Sequence, residues 1–172
     1  MQPNWKIFFP NVSIGDKAMK YKDLESDTCP IARSLEAVGD WWSLMIVRDA
    51  FFGKRRFGEF LKSLGVARNI LTVRLKKLVE VGIFEMVPAS DGSAFKEYVL
   101  TEKAKGLFLV VMALRQWGQE CFGSCGEGEP ELVDREHKRP VRPLALHAED
   151  DRELDPDDVE MIPAVAAMGV PA

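Results

Sequence analysis

The sequence predicts a mainly α-helical fold with one small β-hairpin, followed by a distinct C-terminal extension. Apolar residues recur at helical spacing through residues 30–81 and again after residue 101, which is typical of amphipathic helices around a core. Between them, two short segments rich in β-forming residues flank a Pro, Ser, Asp and Gly cluster at 88–94, the pattern of a hairpin. With 172 residues, 47% of them hydrophobic, the chain can form one domain with its own core and an appendage.

Glycine and capping residues mark the ends of the first two predicted helices. Pro30 suits the first turn of a helix that Gly39 ends, and Asp40 can cap a second helix over residues 41–52. The first helix has apolar residues at helical spacing, namely Ile31, Leu35 and Val38. The second is expected to bury the apolar side chains of Trp41, Leu44, Met45, Val47 and Phe51.

A short helix, a glycine turn and a longer helix follow. Residues 57–64 form the predicted third helix, and Gly65 makes the turn before a fourth helix over residues 68–81. The apolar stripe of the fourth helix consists of Leu71, Leu75 and Leu78. Ala67 precedes this helix and has no side-chain oxygen to cap it, which costs about 1 kcal/mol.

The predicted hairpin leads into a last helix with a broad apolar face. Strands over residues 83–87 and 95–100 enclose the turn cluster, and Thr101 can cap the long helix that follows. The apolar residues of this helix cover more than one stripe: Ala104, Leu107, Phe108, Leu109, Val110, Val111, Met112, Leu114 and Trp117. A face this broad on a small domain predicts that a second chain covers it.

This order of elements is that of a winged helix-turn-helix. On a helical wheel the fourth helix carries Arg, Asn, Thr and Lys side chains away from its leucine stripe, and these groups can bond to base edges in the major groove. We therefore expect residues 68–81 to be a recognition helix and residues 83–100 a wing, with further basic residues on the phosphates. The predicted DNA-binding residues are Arg55, Arg56, Arg68, Asn69, Thr72, Arg74, Lys76, Lys77 and Lys96.

Charge is unevenly divided along the chain. The formal net charge of −4 argues against a nucleic-acid binder, but residues 1–122 carry +4 and residues 123–172 carry −8. Residues 48–77 alone carry +7, which favours double-stranded DNA as the partner. Two alternatives stay open: a basic helix face can simply be solvated, and a winged helix can dock a protein partner instead of DNA.

Other classes of protein find little support in the sequence. It shows no Ser-His-Asp order, paired-carboxylate motif, phosphate-binding glycine loop or complete metal-ligand set, so neither an enzyme nor a cofactor is expected. The longest apolar run, residues 107–114, is far shorter than the about 20 residues that cross a bilayer. Three cysteines are too few for a disulfide framework, and a cytoplasmic protein is expected.

Several motifs, in order, resemble the HxlR-type winged helix-turn-helix regulators of bacteria over about residues 27–122. They are Cys29-Pro30, Gly39-Asp40-Trp41-Trp42-Ser43-Leu44, Arg56-Phe57-Gly58-Glu59-Phe60, Ile70-Leu71-Thr72-Val73-Arg74-Leu75, Gly82-Ile83, Glu97-Tyr98-Val99-Leu100-Thr101 and Trp117-Gly118. The resemblance implies a homodimeric transcription factor on a roughly palindromic operator, with the dimer formed by the first and last helices of the domain. A small-molecule or redox effector is compatible with it.

The cysteines have more than one interpretation. The resemblance implies that Cys29 is a redox or electrophile sensor, and a helix N-terminus favours a thiolate. Alternatively, Cys29 is a small buried residue at a helix start, where the nearby Asp27 would oppose thiolate formation. Cys121 and Cys125 are expected to pack or to stay as thiols, because no histidine is near them in the sequence.

The chain is predicted to divide into an N-terminal arm (1–26), the winged domain (27–122), a linker (123–130) and a small, β-rich, acidic extension (131–172). The extension resembles a zinc-ribbon-like module of some longer HxlR-type proteins, with His137, His147 and Asp150 where cysteines are expected. Either the module has lost its metal, or these residues form a weakened site, although structural zinc takes four ligands. The acidic charge is expected to lie away from DNA, or alternatively to compete with it.

Overall fold

The computed structural model describes residues 29–123 and 130–162. The chain falls into two compact units, Met1–Trp41 and Trp42–Ala172, and each is described by itself. The predicted N-terminal arm (1–26), Cys125 and most of the predicted linker (123–130) lie outside the described residues. In the part of the chain that is described, no helix is long and apolar enough to cross a membrane.

One helix is described in the first unit. α1 (Pro30–Val38) begins with proline in its first turn, as predicted, after Cys29 in an extended conformation. Gly39 ends it by donating its backbone N–H to the Leu35 carbonyl oxygen at 2.7 Å. Val38 is buried, whereas Ile31 and Leu35 are exposed, so most of the predicted apolar face is open to solvent.

Three helices then build the helix-turn-helix: α2 (Trp41–Phe51), α3 (Phe57–Leu64) and α4 (Arg68–Glu80). In α4 the predicted stripe of Leu71, Leu75 and Leu78 is fully buried. The predicted inner face of α2 is partly wrong, because Trp41 and Met45 are exposed. The buried face of α2 instead passes through Ser43, Ile46 and Val47, positions three and four residues apart that share one side of a helix.

The turn between α3 and α4 uses the backbone freedom of a glycine. Gly65 has a positive φ of 60° and donates its N–H to the Leu61 carbonyl oxygen, the left-handed helix end that glycine adopts readily. α3 is capped at its start by Glu59, whose carboxylate accepts the backbone N–H groups of Arg55 and Arg56 at 2.8 Å each. α4 starts after Ala67 without a side-chain cap, as predicted.

The wing is a two-stranded antiparallel sheet attached to α3. β1 (Phe84–Pro88) pairs with β2 (Lys96–Leu100), and Phe84 lies opposite Leu100. The rings of Phe60, Phe84 and Tyr98 meet edge to face with centroids 6.3 to 6.5 Å apart, an arrangement that adds to the burial energy. Because Phe60 belongs to α3, this cluster fixes the wing against the helix-turn-helix.

The predicted last helix is two helices, α5 (Glu102–Lys105) and α6 (Leu107–Phe122). Thr101 caps α5 as predicted: its hydroxyl accepts the Ala104 N–H and donates to the Gly82 carbonyl oxygen at 2.7 Å. The interruption falls at Gly106, a residue that weakens a helix by about 1 kcal/mol relative to alanine. The single long helix expected from the sequence is therefore wrong at Gly106, where α5 ends and α6 begins.

The described part of the C-terminal extension consists of two small hairpins. In the first, Val133 pairs with Pro140 across a turn, and the Asp134 carboxylate closes that turn by accepting the N–H groups of His137 and Arg139. In the second, β3 (Leu146–His147) pairs antiparallel with β4 (Glu153–Leu154), and a 3₁₀ helix at Pro156–Asp158 follows.

Two side chains of α6 hold this extension. The Gln116 amide accepts the Leu144 N–H at 2.7 Å and donates to the Leu144 carbonyl oxygen at 3.2 Å. Arg115 donates to the Pro130 carbonyl oxygen at 2.6 Å. The fold is therefore of the predicted class, a mainly α winged helix-turn-helix with a small β extension, and the extension is fastened to the last helix.

Candidate nucleic-acid interface

α4 has one buried and one open side, as the helical wheel predicts. Its three buried leucines face the core, whereas the opposite side is exposed along Asn69, Thr72, Val73, Lys76 and Glu80. Glu80 at the end of this row would repel phosphates, while the first two turns carry only polar, apolar and basic groups. The N-terminal half of α4 is thus the part whose chemistry suits a DNA groove.

The first turn of α4 holds its arginine in place without burying it. The guanidinium carbon of Arg68 lies 5.4 Å from the centre of the Phe57 ring, a distance at which a cation is attracted to an aromatic face. Arg68 and the adjacent Asn69 are both exposed. Their planar end groups match the bidentate edges of guanine and adenine respectively.

The other predicted base-contacting residues differ in how available they are. The Thr72 hydroxyl donates to the Arg68 carbonyl oxygen at 2.8 Å, so its methyl group and an oxygen lone pair are what it offers a ligand. Lys76 lies 3.7 Å from Glu80, and both side chains are well exposed, so this ion pair is weak. Arg74 and Lys77 are half-buried on the flanks of the helix.

Arg56, predicted to bind phosphate, connects α3 to the wing. Its guanidinium lies 2.7 Å from Asp91 at the wing tip and 3.1 Å from Glu97 on β2. Glu97 also accepts a hydrogen bond from the Ser90 hydroxyl at 3.1 Å, and Arg55 lies 4.0 Å away. We call Arg56, Asp91 and Glu97 the wing latch. A phosphate contact by Arg56 stays a prediction.

The wing latch keeps its carboxyl groups ionised. Hydrogen bonds from Arg56 and then from Ser93 hold the pKa of Asp91 well below its usual range. Burial alone would raise the pKa of Glu97, but hydrogen bonds from Arg56 and Ser90 outweigh it and bring that pKa below its ordinary value of 4.5. At neutral pH the latch therefore pairs one guanidinium with two carboxylates.

Two other predicted DNA-binding residues, Arg55 and Lys96, lie next to the wing latch. The backbone carbonyl oxygen of Arg55 accepts the Tyr98 N–H at 2.8 Å, which brings the start of α3 against β2. The Arg55 side chain is 56% exposed, and Lys96 is exposed at the start of β2. The structure thus brings Arg55 and Arg56 to the wing and stacks Arg68 on α3.

The other singled-out residues do not form a shared site. Cys29 is exposed, which does not support its interpretation as a buried packing residue; its role as a sensor stays a prediction. Among residues 29–123 and 130–162, no three His, Cys, Asp or Glu side chains converge where they could hold a metal ion. His137 lies 3.6 Å from Asp134, and His147 Nδ1 lies 3.2 Å from the Ala145 carbonyl oxygen.

The wing latch is the feature that sequence reasoning missed. Arg56 and Glu97 are 41 positions apart, and no periodicity or motif links them. A hint exists in the alternation of β2, where Glu97 falls on the side of the strand opposite to its exposed neighbour Lys96. An acid at a buried strand position needs a cation, and Arg56 supplies it.

The winged domain is similar in sequence to one protein family and to several transcriptional regulators. Residues 37–124 match the family described as HxlR-like helix-turn-helix. A 90-residue segment is 49% identical to an uncharacterised HTH-type transcriptional regulator of Mycobacterium tuberculosis, Rv3095, and covers 52% of this chain and 57% of the relative. A regulator of Synechocystis, described in the same words, is 30% identical over 109 residues, which cover 58% of this chain and 81% of that protein.

Solved structures match more of the chain. The crystal structure of PA1607, "a Putative Transcription Factor", is 45% identical with a TM-score of 0.76, and the match covers 82% of this chain and 99% of that one. PA1374 of Pseudomonas aeruginosa, described in the same terms, is 43% identical with a TM-score of 0.54, covering 79% and 94%. Both matches extend beyond the segment that the family match covers. By contrast, the chain spans little more than half of the mycobacterial relative.

Proposed function

This chain belongs to the HxlR-like helix-turn-helix family of transcriptional regulators, and from that premise we propose that it binds a specific DNA operator as a homodimer. In this proposal α4 enters the major groove and the β1–β2 wing lies beside it. The related proteins are described as uncharacterised HTH-type transcriptional regulators, and the proposed chemistry is recognition without catalysis.

The observation that carries the proposal is the open polar side of α4. A solvated helix would serve the fold with any polar residues there, but this side begins with Arg68 and Asn69, whose end groups can each form two hydrogen bonds to one base. Arg68 is also positioned by the Phe57 ring. A preoriented side chain loses less conformational entropy when it binds.

Electrostatics support the same surface. The stretch from residue 48 to residue 77 carries a net charge of +7, and the wing beside it adds the exposed Lys96. Arg55, within that stretch, is exposed next to the wing. Such residues would bind phosphates and set the register of α4 on the duplex. The wing latch would hold the wing at a fixed angle to α3 while this happens.

The exposed apolar residues of α6 support the homodimer. Five of them are more than two-fifths exposed and lie on one helix: Leu109, Val110, Leu114, Trp117 and Phe122. Apolar patches of this kind on a soluble protein mark interaction surfaces. We propose that a second copy covers them, with Ile31 and Leu35 of α1 contributing, so that two recognition helices face two half-sites.

A protein partner in place of DNA is the second candidate function, since a winged helix does not by itself imply DNA. The two differ in their response to salt. For the DNA function, affinity for the selected operator falls steeply between about 50 and about 200 mM salt, because phosphate contacts release counterions. A flat salt dependence of the operator affinity contradicts the proposal.

A pair of charge-matched variants sharpens this test. Arg55→Ala removes an exposed cation beside the wing, and the slope of log affinity against log salt should flatten by about one unit for each phosphate that is no longer bound. Arg135→Ala removes an exposed cation from the first hairpin of the extension and should leave the slope unchanged. Fluorescence anisotropy of a labelled duplex measures both slopes.

A further inference from the structure

The tip of the wing carries an exposed aromatic side chain. Phe95 directly precedes β2 and is 70% exposed, although its backbone is tied to the hairpin, because its carbonyl oxygen accepts the Ala89 N–H at 3.0 Å. The ring cluster that fixes the wing to α3 consists of Phe60, Phe84 and Tyr98 and does not include Phe95. Single exposed apolar residues are common on protein surfaces, so the surroundings of this ring decide what it can do.

Those surroundings suit a polyanion. Lys96, the next residue, is exposed, and the Arg55 side chain beside the wing is 56% exposed. The only acid between residues 88 and 95 is Asp91, and its carboxylate is paired with Arg56 at 2.7 Å. The wing tip therefore presents an apolar ring beside cations, with its one negative charge already balanced, and it can approach a phosphate backbone without a large repulsive cost.

The tip is also narrow and firmly supported. Between Pro88 and Phe95 the side chains are short: Ala, Ser, Asp, Gly, Ser and Ala. The wing latch and the ring cluster attach the hairpin to α3, and β1 packs against α4. The wing thus lies beside the proposed recognition helix, and a helix seated in the major groove has the minor groove next to it. That groove is about 6 Å wide, which is enough to admit one ring.

We propose that Phe95 enters the minor groove beside each half-site and pushes its ring between two base pairs. Apolar side chains such as Phe and Leu act as wedges of this kind, which partly unstack a base step and bend the duplex. Lys96 holds the neighbouring phosphate, and the wing latch keeps the wedge from yielding. Because pyrimidine–purine steps such as TA unstack most easily, the wedge selects the flank of the operator by its deformability. The inference rests on the proposed DNA function and adds a second recognition element to it.

Fluorescence of 2-aminopurine detects the wedge, since this adenine analogue brightens when it is unstacked. The probe is a duplex with the motif that the unaltered protein selects from a random pool, in which 2-aminopurine replaces one flanking adenine at a time. The unaltered protein should raise the fluorescence at one step on each side by at least about twofold. At saturating protein, Phe95→Ala should give no rise, and Phe95→Leu, which keeps an apolar wedge, should retain most of it.

The flanking sequence gives a second readout. Changing the affected step from TA to AA should weaken binding of the unaltered protein by at least about fivefold, and that of Phe95→Ala by less than about twofold. Lys96→Ala should weaken binding to both duplexes equally and lower the salt slope by about one unit. Leu146→Ala removes a side chain that is 60% exposed in the extension and should behave as the unaltered protein does.

The outcomes separate the wedge from the DNA function itself. If the unaltered protein selects no motif, both proposals fail. If Phe95→Ala selects the motif and keeps the fluorescence rise or the preference for TA, or if the unaltered protein gives no rise at any flanking step, the DNA function stands and the wedge is overturned. Circular dichroism shows whether each variant is folded, and the loss in Phe95→Ala counts for the wedge only if Phe95→Leu restores it.

Discussion

Arg56 shows how a single side chain can join two parts of the fold. Its guanidinium joins the start of α3 to Asp91 and Glu97 of the wing. Removing the cation would leave the buried carboxylate of Glu97 without its main partner, which is more costly than losing a surface ion pair. Arg56 therefore positions the wing whether or not it also contacts phosphate.

The wing latch predicts a specific dependence of stability on pH. The folded protein holds the pKa values of Asp91 and Glu97 below those of the unfolded chain, so the latch contributes fully above the unfolded values of 3.8 and 4.5. Its contribution is lost as the pH falls through the lower, folded values. Acidification should therefore lower the free energy of unfolding, and part of that decrease belongs to Glu97.

Substitution of Glu97 isolates the contribution of this carboxylate to the pH dependence of stability. In Glu97→Gln, the slope of the free energy of unfolding against pH between about pH 5 and about pH 3 should be smaller than in the unaltered protein. Glu85→Gln changes an exposed acid on the facing strand and should keep the original slope. Urea unfolding at a series of pH values measures both, and equal slopes for Glu97→Gln and the unaltered protein would show that the latch is not coupled to folding.

Among the helices, the apolar periodicity of the sequence was sufficient to predict which side of α4 is buried. A stripe of Leu71, Leu75 and Leu78 was predicted and is buried, because one side of that helix is uniformly apolar and the other mostly polar. Periodicity was insufficient for α2, whose residues are apolar nearly all round, so that the sequence could not say which side faces the core. There the small Ser43 and Asp49, which is paired with Arg48 and Lys54, take buried positions.

The uncapped start of α4 gives a prediction of improved stability. Ala67 is exposed and already has the extended backbone of an N-cap residue, with φ −63° and ψ 140°. Ala67→Ser adds an oxygen that can accept an orphan N–H of the first turn, so the free energy of unfolding should rise by about 1 kcal/mol. Chemical denaturation measures this change.

The same substitution inside a helix is the control. Ala50 is half-buried within α2, away from the proposed dimer face, where the backbone N–H groups are already bonded along the helix, and Ala50→Ser should lower the free energy of unfolding by about 0.5 kcal/mol. If Ala67→Ser is no more stable than the unaltered protein, the N–H groups in the first turn of α4 are satisfied in some other way and do not need a cap.

For the molecule as a whole, the sequence predicted the division of charge along the chain, but it did not predict the contacts that hold the extension against α6. The hydrogen bonds of Gln116 and Arg115 to backbone groups of Leu144 and Pro130 depend on a docked arrangement that no local pattern encodes.

The proposed homodimer has a direct test at this scale. Val110→Glu places a charge in the exposed apolar face of α6, where it would be buried against a second copy, and should shift the protein towards monomer by at least about tenfold in the dissociation constant. Val159→Glu changes a valine of nearly equal exposure, 47% against 46%, in the extension and should not. Sedimentation equilibrium distinguishes these outcomes, and an unchanged dimer in Val110→Glu places the interface elsewhere.

Selection of bound duplexes from a random pool tests whether α4 reads DNA sequence. The unaltered protein should enrich one motif with two related half-sites about one helical turn apart, and Arg135→Ala should enrich the same motif. Asn69→Ala combined with Lys76→Ala should lose or broaden that motif, because these side chains lie on the open side of α4. Enrichment of the same motif by the double variant, or of none by the unaltered protein, would contradict the claim.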